Sequence, residues 1–238
     1  MNKTILTIAL LAATATASAQ QTTRYEVDVT DFNELKVTDG INVDYVCSPD
    51  SAGKAVFHAT PEMASQIIFQ PDKSKLNIQL VPKAERVNRE LPTVTVYSSY
   101  LTHVENDGDS LVRVLSIAPG PKVKARIIGN GRLSVRGLKA NTVEGNIDTG
   151  NGTLVLYGTC NDAKLTCTGT GNIQADALEA QEVNVILTGT GTVGCNAAKK
   201  QYVKGLGSGK VYYGGNPEIK KRGVGIKALP LEEQPKVK

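Results

Sequence analysis

Asp107-Gly108-Asp109 is the densest acidic spot in a chain of 238 residues. Paired carboxylates are the groups that cut glycosidic bonds, one donating a proton while the other attacks or activates water. Here the two flank a glycine, and a solvated turn explains them better. Asp148, Asp162 and Asp176 are scattered further along, and alternation would point Asp148 and Asp176 outward at different corners. His58 and His103 lie in alternating, strand-like sequence with no serine or cysteine motif beside them, so neither reads as the base of a nucleophile. Cys47, Cys160, Cys167 and Cys195 include no CxxC pair and fit no zinc spacing. Calcium-binding β-rolls need an aspartate after each G-x-G, and here those positions hold Arg132, Thr153, Asn172, Thr192 and Lys210. No metal, cofactor or catalytic residue is therefore expected.

The elements behind these residues repeat. Gly129-Asn130-Gly131, Gly150-Asn151-Gly152, Gly169-Thr170-Gly171, Gly189-Thr190-Gly191 and Gly207-Ser208-Gly209 recur about every 20 residues, with a weaker copy at Gly108-Asp109-Ser110. Alternating sequence flanks them: Lys122-Val123-Lys124-Ala125-Arg126-Ile127 before one turn, Leu133 and Val135 after it. Such alternation marks strands with one wet face. A constant period favours a solenoid over serial hairpins, because equivalent positions then stack in parallel ladders. The expected fold is all-β, a parallel β-helix-like solenoid over 106–222 with coils of about 20 residues and an irregular β-rich cap over 20–105. Residues 20–222 would form one continuous domain.

Two columns follow from that stacking. Leu133, Leu154, Ile173, Val193 and Val211 should line the interior. Asn130, Asn151, Thr170, Thr190 and Ser208, with Thr168 and Thr188 beside them, should form an outward polar column and are the candidate contact face. The glycines of the turns are expected at φ > 0 or where neighbouring coils approach closely. Cys167 and Cys195 fall on the inward phase, although export would permit disulfides in any of three complete pairings. Tyr157, Tyr202 and Tyr212 can point outward but share no column.

In the first half, strands are expected at Arg24–Val29, Glu34–Val37, Ile41–Val46, Lys54–Ala59, Lys75–Leu80 and Thr93–Tyr97. A short helix should begin at Pro61 with Thr60 as its N-cap, and Pro71-Asp72-Lys73-Ser74 reads as a turn. Residues 223–238 read as a C-terminal tail, frayed from Ala228 to Lys238.

The N-terminus carries Lys3, an apolar run from Ile5 to Ala13, and Ala17-Ser18-Ala19. That order is a secretory signal peptide over 1–19. Export to the periplasm, cell surface or outside is expected, with no transmembrane segment in the mature chain. The formal net charge of +4 argues against a nucleic-acid partner. Lys220-Lys221-Arg222 reads as a solvated strand.

Several segments together resemble a family of exported bacterial proteins, the auto-transporter adhesin head domain named for a Gly-Ile-Asn motif. They are Gly40-Ile41-Asn42 within Asp39–Tyr45, the entry strand Asp31–Val37, Val94–Leu101, the serial G-x-G turns, and the ending Tyr212-Tyr213-Gly214-Gly215-Asn216-Pro217. The resemblance implies a right-handed parallel β-helix-like fold and an adhesive role. The partner would be a protein or glycan at the cell envelope, and a homo-oligomer is compatible with it. A β-helix also hosts polysaccharide lyases and hydrolases, so a carbohydrate-active enzyme whose carboxylates gather only in three dimensions is the competing reading.

Overall fold

The computed structural model describes residues 22–82 and 91–233. The expected signal peptide lies outside them.

From His103 onward the chain climbs as a coil. β8 (His103–Asp107) and β9 (Leu111–Val114) make one level, and β10 (Gly120–Ile128) begins the next. The long bent strands β11 (Arg132–Ile147), β12 (Thr153–Gly169), β13 (Asn172–Gly189) and β14 (Thr192–Gly207) continue the climb. It ends in β15 (Lys210–Gly214), β16 (Glu218–Val224) and β17 (Lys227–Pro230). Every pairing among these strands is parallel, which rules out serial hairpins. The result is a β-solenoid of about six turns with coils about 20 residues apart.

The predicted inner column is present. Leu133, Leu154, Ile173, Val193 and Val211 are mutually in register, and each is 0% exposed. It continues downward through Val112, Val43 and Val94. Each coil also has a third, short side that alternation did not reveal. The ladder shifts register after Val135 and resumes at Leu138, which is buried, as is Leu178 two levels up the same column beyond Gly158. Three or four residues are too few for a period to register.

The corners explain the glycines, and both expected causes operate, at different positions. Gly189 does sit at positive φ (114°), and a Cβ there would lie 2.4 Å from the carbonyl oxygen of Gly169. The third residue of each corner is different: Gly152, Gly171 and Gly191 are not among the positive-φ glycines. They are glycine because an inward side chain of the coil below, together with a carbonyl oxygen of the corner below (Gly171 O at 2.6 Å for Gly191), fills the Cβ position. A Cβ on Gly171 would lie 2.8 Å from Ile147 Cγ2, on Gly152 2.6 Å from Ile127 Cγ2, and on Gly191 2.9 Å from Cys167 Sγ. Where the inward residue is itself glycine, at Gly205, the third corner position carries a side chain, Ile226, which is buried. Each knob thus fills a notch one coil away.

Chain order and stacking order part company at the N-terminal end. β2 (Glu34–Thr38) pairs in parallel with both β6 (Lys75–Leu80) and β8, and β3 (Val43–Cys47) with both β7 (Val94–Ser98) and β9. The lowest level is therefore β6–β7, with β2–β3 above it. Antiparallel strands cover this end: β5 (Ile67–Asp72) lies on β6, β4 (Lys54–Ala59) on β7, and β1 (Thr23–Asp28) on β4. Tyr25 stacks on Phe57 at 5.3 Å and Phe57 on Phe69 at 6.0 Å. The edge of the lowest level is thereby paired, and the outer edges pass to β1 and β5. Between β4 and β5, α1 (Pro61–Ala64) has the expected cap, with Thr60 accepting a hydrogen bond from Met63 N. β5 itself was missed; it runs through Pro71 and Asp72, and its turn falls at Lys73, where φ is 55°.

Gly40-Ile41-Asn42 is the corner of the β2–β3 level. Asn42 Oδ1 accepts from Leu111 N at 2.9 Å and Asn42 O from Val94 N at 3.0 Å, tying the level above to the level below. Ile41 is fully buried rather than the start of a strand. The motif is structural.

The far end departs from expectation. Within the stretch read as a tail, Lys227–Pro230 pairs in parallel with β15. Fraying was inferred from two prolines and a missing period, yet four ladder residues suffice when a preceding coil supplies the template. On β16, Lys221 occupies the inward position opposite Val203, and its Nζ donates to Ile226 O at 2.9 Å. A charge turned inward on an edge strand discourages a further strand from adding.

Cys167 and Cys195 face the interior as expected, and all four cysteines are free. Burial pushes the thiols up, to about 11 for Cys160 and Cys167 and about 12 for Cys195. At pH 8 the native protein should react with a thiol reagent at no more than Cys47, whereas all four should label after denaturation. Fast labelling of Cys167 or Cys195 in the native state, or a disulfide found in unreduced peptides, would contradict this packing.

Gly171→Ala should destabilise the fold by about 1–3 kcal/mol, as overpacking does. The cost should shrink in an Ile147→Ala background, because the knob is gone. Urea titrations of the four proteins test this; an equal cost in both backgrounds would show that the notch is not filled by Ile147.

Candidate functional site

Inward positions are spent on packing, so function must lie on the outward positions, in end clefts or on the corners. One wall is built from β2, β8, β10 and the second halves of β11 to β14, ending at β16. In its lower half the outward residues neutralise one another. Lys36 Nζ lies 2.8 Å from both Glu105 Oε1 and Asp107 Oδ2. Arg126 Nη1 donates to Glu105 Oε2 at 3.0 Å, and Arg126 Nε donates to Asp148 Oδ2 at 2.7 Å.

These contacts bear on acid–base chemistry at the carboxylates of this wall. Burial pushes Glu105 up, but the hydrogen bonds and charges of Lys36 and Arg126 together outweigh it and hold the carboxyl below its ordinary range. A general acid needs the opposite shift. Asp107 binds Lys36, while Asp109 turns away to accept from Asn130 Nδ2 at 3.3 Å. Asp148 and Asp176 lie at different corners, as expected, with Asp148 paired to Arg126. His58 is exposed on β4. His103 has a partner that sequence did not suggest, Glu34, with Nδ1 3.8 Å from Oε2. Burial, followed by the Lys124 charge, lowers its pKa, so the imidazole stays neutral over more of the pH range. Among the described residues no group of three or more His, Cys, Asp or Glu is placed to hold a metal.

The seven candidate contact residues do come together. Asn130, Asn151, Thr170, Thr190 and Ser208 are exposed at successive corners, and Thr168 and Thr188 are in register beside them. The ridge is partly self-bonded. Asn151 N donates to Asn130 Oδ1 at 3.1 Å and Thr170 Oγ1 to Gly150 O at 3.2 Å. The hydroxyls of Thr190 and Ser208 are presented outward at the same corner. The tyrosines divide: Tyr157 is exposed under the Arg136 guanidinium at 5.2 Å, Tyr202 is half-buried, and Tyr212 is buried between Gly194 and Leu229, contrary to expectation. Tyr212 is covered because the stretch read as a tail forms a further strand beside it.

Two clefts lie at the upper end. One, of about 600 Å³, is bounded by Asn196, Tyr213, Gly214, Gly215, Pro230, Leu231 and Glu232. The other, of about 220 Å³, runs between Tyr202, Val203, Lys204, Lys220 and Arg222 on the charged wall. Sequence reasoning missed this groove because it looked for contiguous basic runs, whereas Lys204 and Arg222 meet only through the ladder.

Glu105→Gln should cost about 1–3 kcal/mol at pH 7, the range for hydrogen bonds to charged groups. A depressed carboxyl stabilises the fold above its ordinary pKa, and that contribution is lost as pH falls through the folded value. The difference between wild type and Glu105→Gln should therefore be smaller at pH 3 than at pH 7. Urea titrations at both pH values check it, and a pH-independent difference would rule out the charge ladder.

Comparison with known proteins follows this geometry. A putative adhesin from Bacteroides fragilis NCTC 9343 superposes with a TM-score of 0.80 at 23% identity, covering 89% of this chain and 98% of that one. A putative adhesin from Parabacteroides distasonis ATCC 8503 gives 0.72 at 19% identity, with the same coverages of 89% and 98%. A structure described as a putative lipid binding protein from Parabacteroides distasonis ATCC 8503 gives 0.67 at 17% identity, covering 88% and 97%. At these identities the likeness is one of fold. No curated protein matches by sequence. The family described as putative auto-transporter adhesin, head GIN domain, matches residues 31–217, and the chain belongs to it.

Proposed function

We propose that this chain is an exported, non-catalytic binding module of the cell envelope that presents a rigid β-solenoid surface to a protein or glycan. The observation that carries the reading is the corner ridge. Thr168, Thr170, Thr188, Thr190 and Ser208 offer hydroxyls, and Asn130 and Asn151 offer amides, at steps of about 4.8 Å set by the ladder. Weak contacts repeated along a rigid array add up when the partner is itself extended. Family membership and the adhesins of similar fold support a binding role. The signal peptide read over 1–19 supports export.

The enzyme reading draws no support from these acidic residues. Glu105, Asp107 and Asp148 are paired with Lys36 and Arg126, and the net effect on the Glu105 carboxyl is to lower its pKa.

Glycan-array and pull-down screening of residues 20–238 tests the proposal. A partner should be retained, and a triple variant Asn151→Lys, Thr170→Lys, Thr190→Lys should weaken it at least tenfold with an unchanged thermal midpoint. Retention unaffected by that variant would remove the ridge as the contact face. Turnover of a polysaccharide, abolished by one carboxylate substitution, would overturn the non-catalytic assignment.

A further inference from the structure

The charge of this chain is unevenly placed. Residues 196–230 hold eight lysines and arginines against one carboxylate, Glu218, while the rest of the sequence holds nineteen against twenty-two. The upper two coils are therefore strongly cationic on a molecule that is slightly acidic elsewhere.

The ladder arranges the outward members of this set on one flat wall. Tyr202, Lys204 and Leu206 alternate outward on β14, and Lys220, Arg222 and Val224 lie opposite them, residue for residue, on β16. One coil below, Ile186 and Thr188 are in register with Lys204 and Leu206. In contrast to the lower wall, Lys204 and Arg222 make no ion pair among the described residues, and the one pair in this patch, Lys220 with Glu218 at 3.1 Å, is open to solvent on both sides. Three aliphatic side chains stand in solvent beside them: Ile186 is 48% exposed, Leu206 62% and Val224 71%. The groove of about 220 Å³ between Tyr202, Lys204, Lys220 and Arg222 lies within the same patch.

Exposed aliphatics interleaved with unpaired cations are the two components of interfacial membrane binding. The cations are attracted to anionic headgroups, and the apolar side chains enter the headgroup–acyl boundary. An acidic polysaccharide would use the cations but would leave Ile186, Leu206 and Val224 wet. A second copy of the chain would bring two strongly cationic ends together. We propose that the upper end of this wall docks on an anionic lipid bilayer, with Lys204, Lys220 and Arg222 holding lipid phosphates and Leu206 and Val224 inserted. This rests on the reading of the chain as an exported binding module and adds a second surface, which adjoins the corner ridge where Leu206 lies in register with Thr188.

The test is flotation of residues 20–238 with vesicles of phosphatidylglycerol and phosphatidylethanolamine, against vesicles of phosphatidylcholine alone. Binding should occur with the first and be at least tenfold weaker with the second, and should fall as NaCl rises from 0.05 to 0.5 M. Lys204→Glu with Arg222→Glu, and separately Leu206→Ser with Val224→Ser, should each lower it at least tenfold with thermal midpoints unchanged. Equal binding to both vesicle types, no binding to either, or binding unaffected by either pair would overturn the proposal. So would competition by polygalacturonate that the Leu206/Val224 pair leaves unaltered, which would assign the patch to acidic glycans. Retention of the ridge partner by both pairs would separate a failure here from a failure of the binding-module reading.

Discussion

The stacking distance between coils governs everything else in this molecule. At about 4.8 Å per level, a corner leaves no room for two side chains in the same vertical line. The chain resolves the conflict by placing a knob on one level and a glycine on the next: Ile127 under Gly152, Ile147 under Gly171, Cys167 under Gly191. The exchange at Gly205 and Ile226 shows that the constraint is on the pair rather than on the corner residue itself. Close-packed interiors accept such trades only when volume is kept.

Because the ladder fixes inward positions so tightly, the outward ones are free to differ along the stack. The lower wall closes on itself through Lys36, Glu105, Arg126 and Asp148, ion pairs that run from level to level rather than along a strand. Single exposed pairs contribute little, but a shared network around a carboxyl that is only 8% exposed contributes more. The upper wall leaves Lys204 and Arg222 without acidic partners among the described residues, and three aliphatics in solvent. The two ends of the solenoid are thus chemically distinct although their backbones are nearly equivalent.

What the sequence revealed tracks how local each determinant is. The repeat, the inner column and the corner ridge were legible because each coil states them again in the same phase. The placement of β2–β3 between β6–β7 and β8–β9 was not, since it rests on pairings between distant segments without a period. Glycine is legible as a corner residue with two possible causes, and only the structure shows which acts where; φ > 0 accounts for Gly189, and the knob below accounts for Gly171. The cationic end was written in the composition of 196–230, but only the ladder turns Lys204, Lys220 and Arg222 outward together while sending Lys221 inward.

The central claim is that consecutive corners rise as one straight ridge. Spin labels on cysteines placed at Asp109 and Thr170, and separately at Asp109 and Ser208, measure it directly in a background where the native cysteines are replaced. Three levels separate the first pair and five the second, so the distances should be about 14 Å and about 24 Å before label length is added, at about 4.8 Å per level. A second distance equal to or shorter than the first would mean that the corners do not stack in sequence, and the solenoid account would fail.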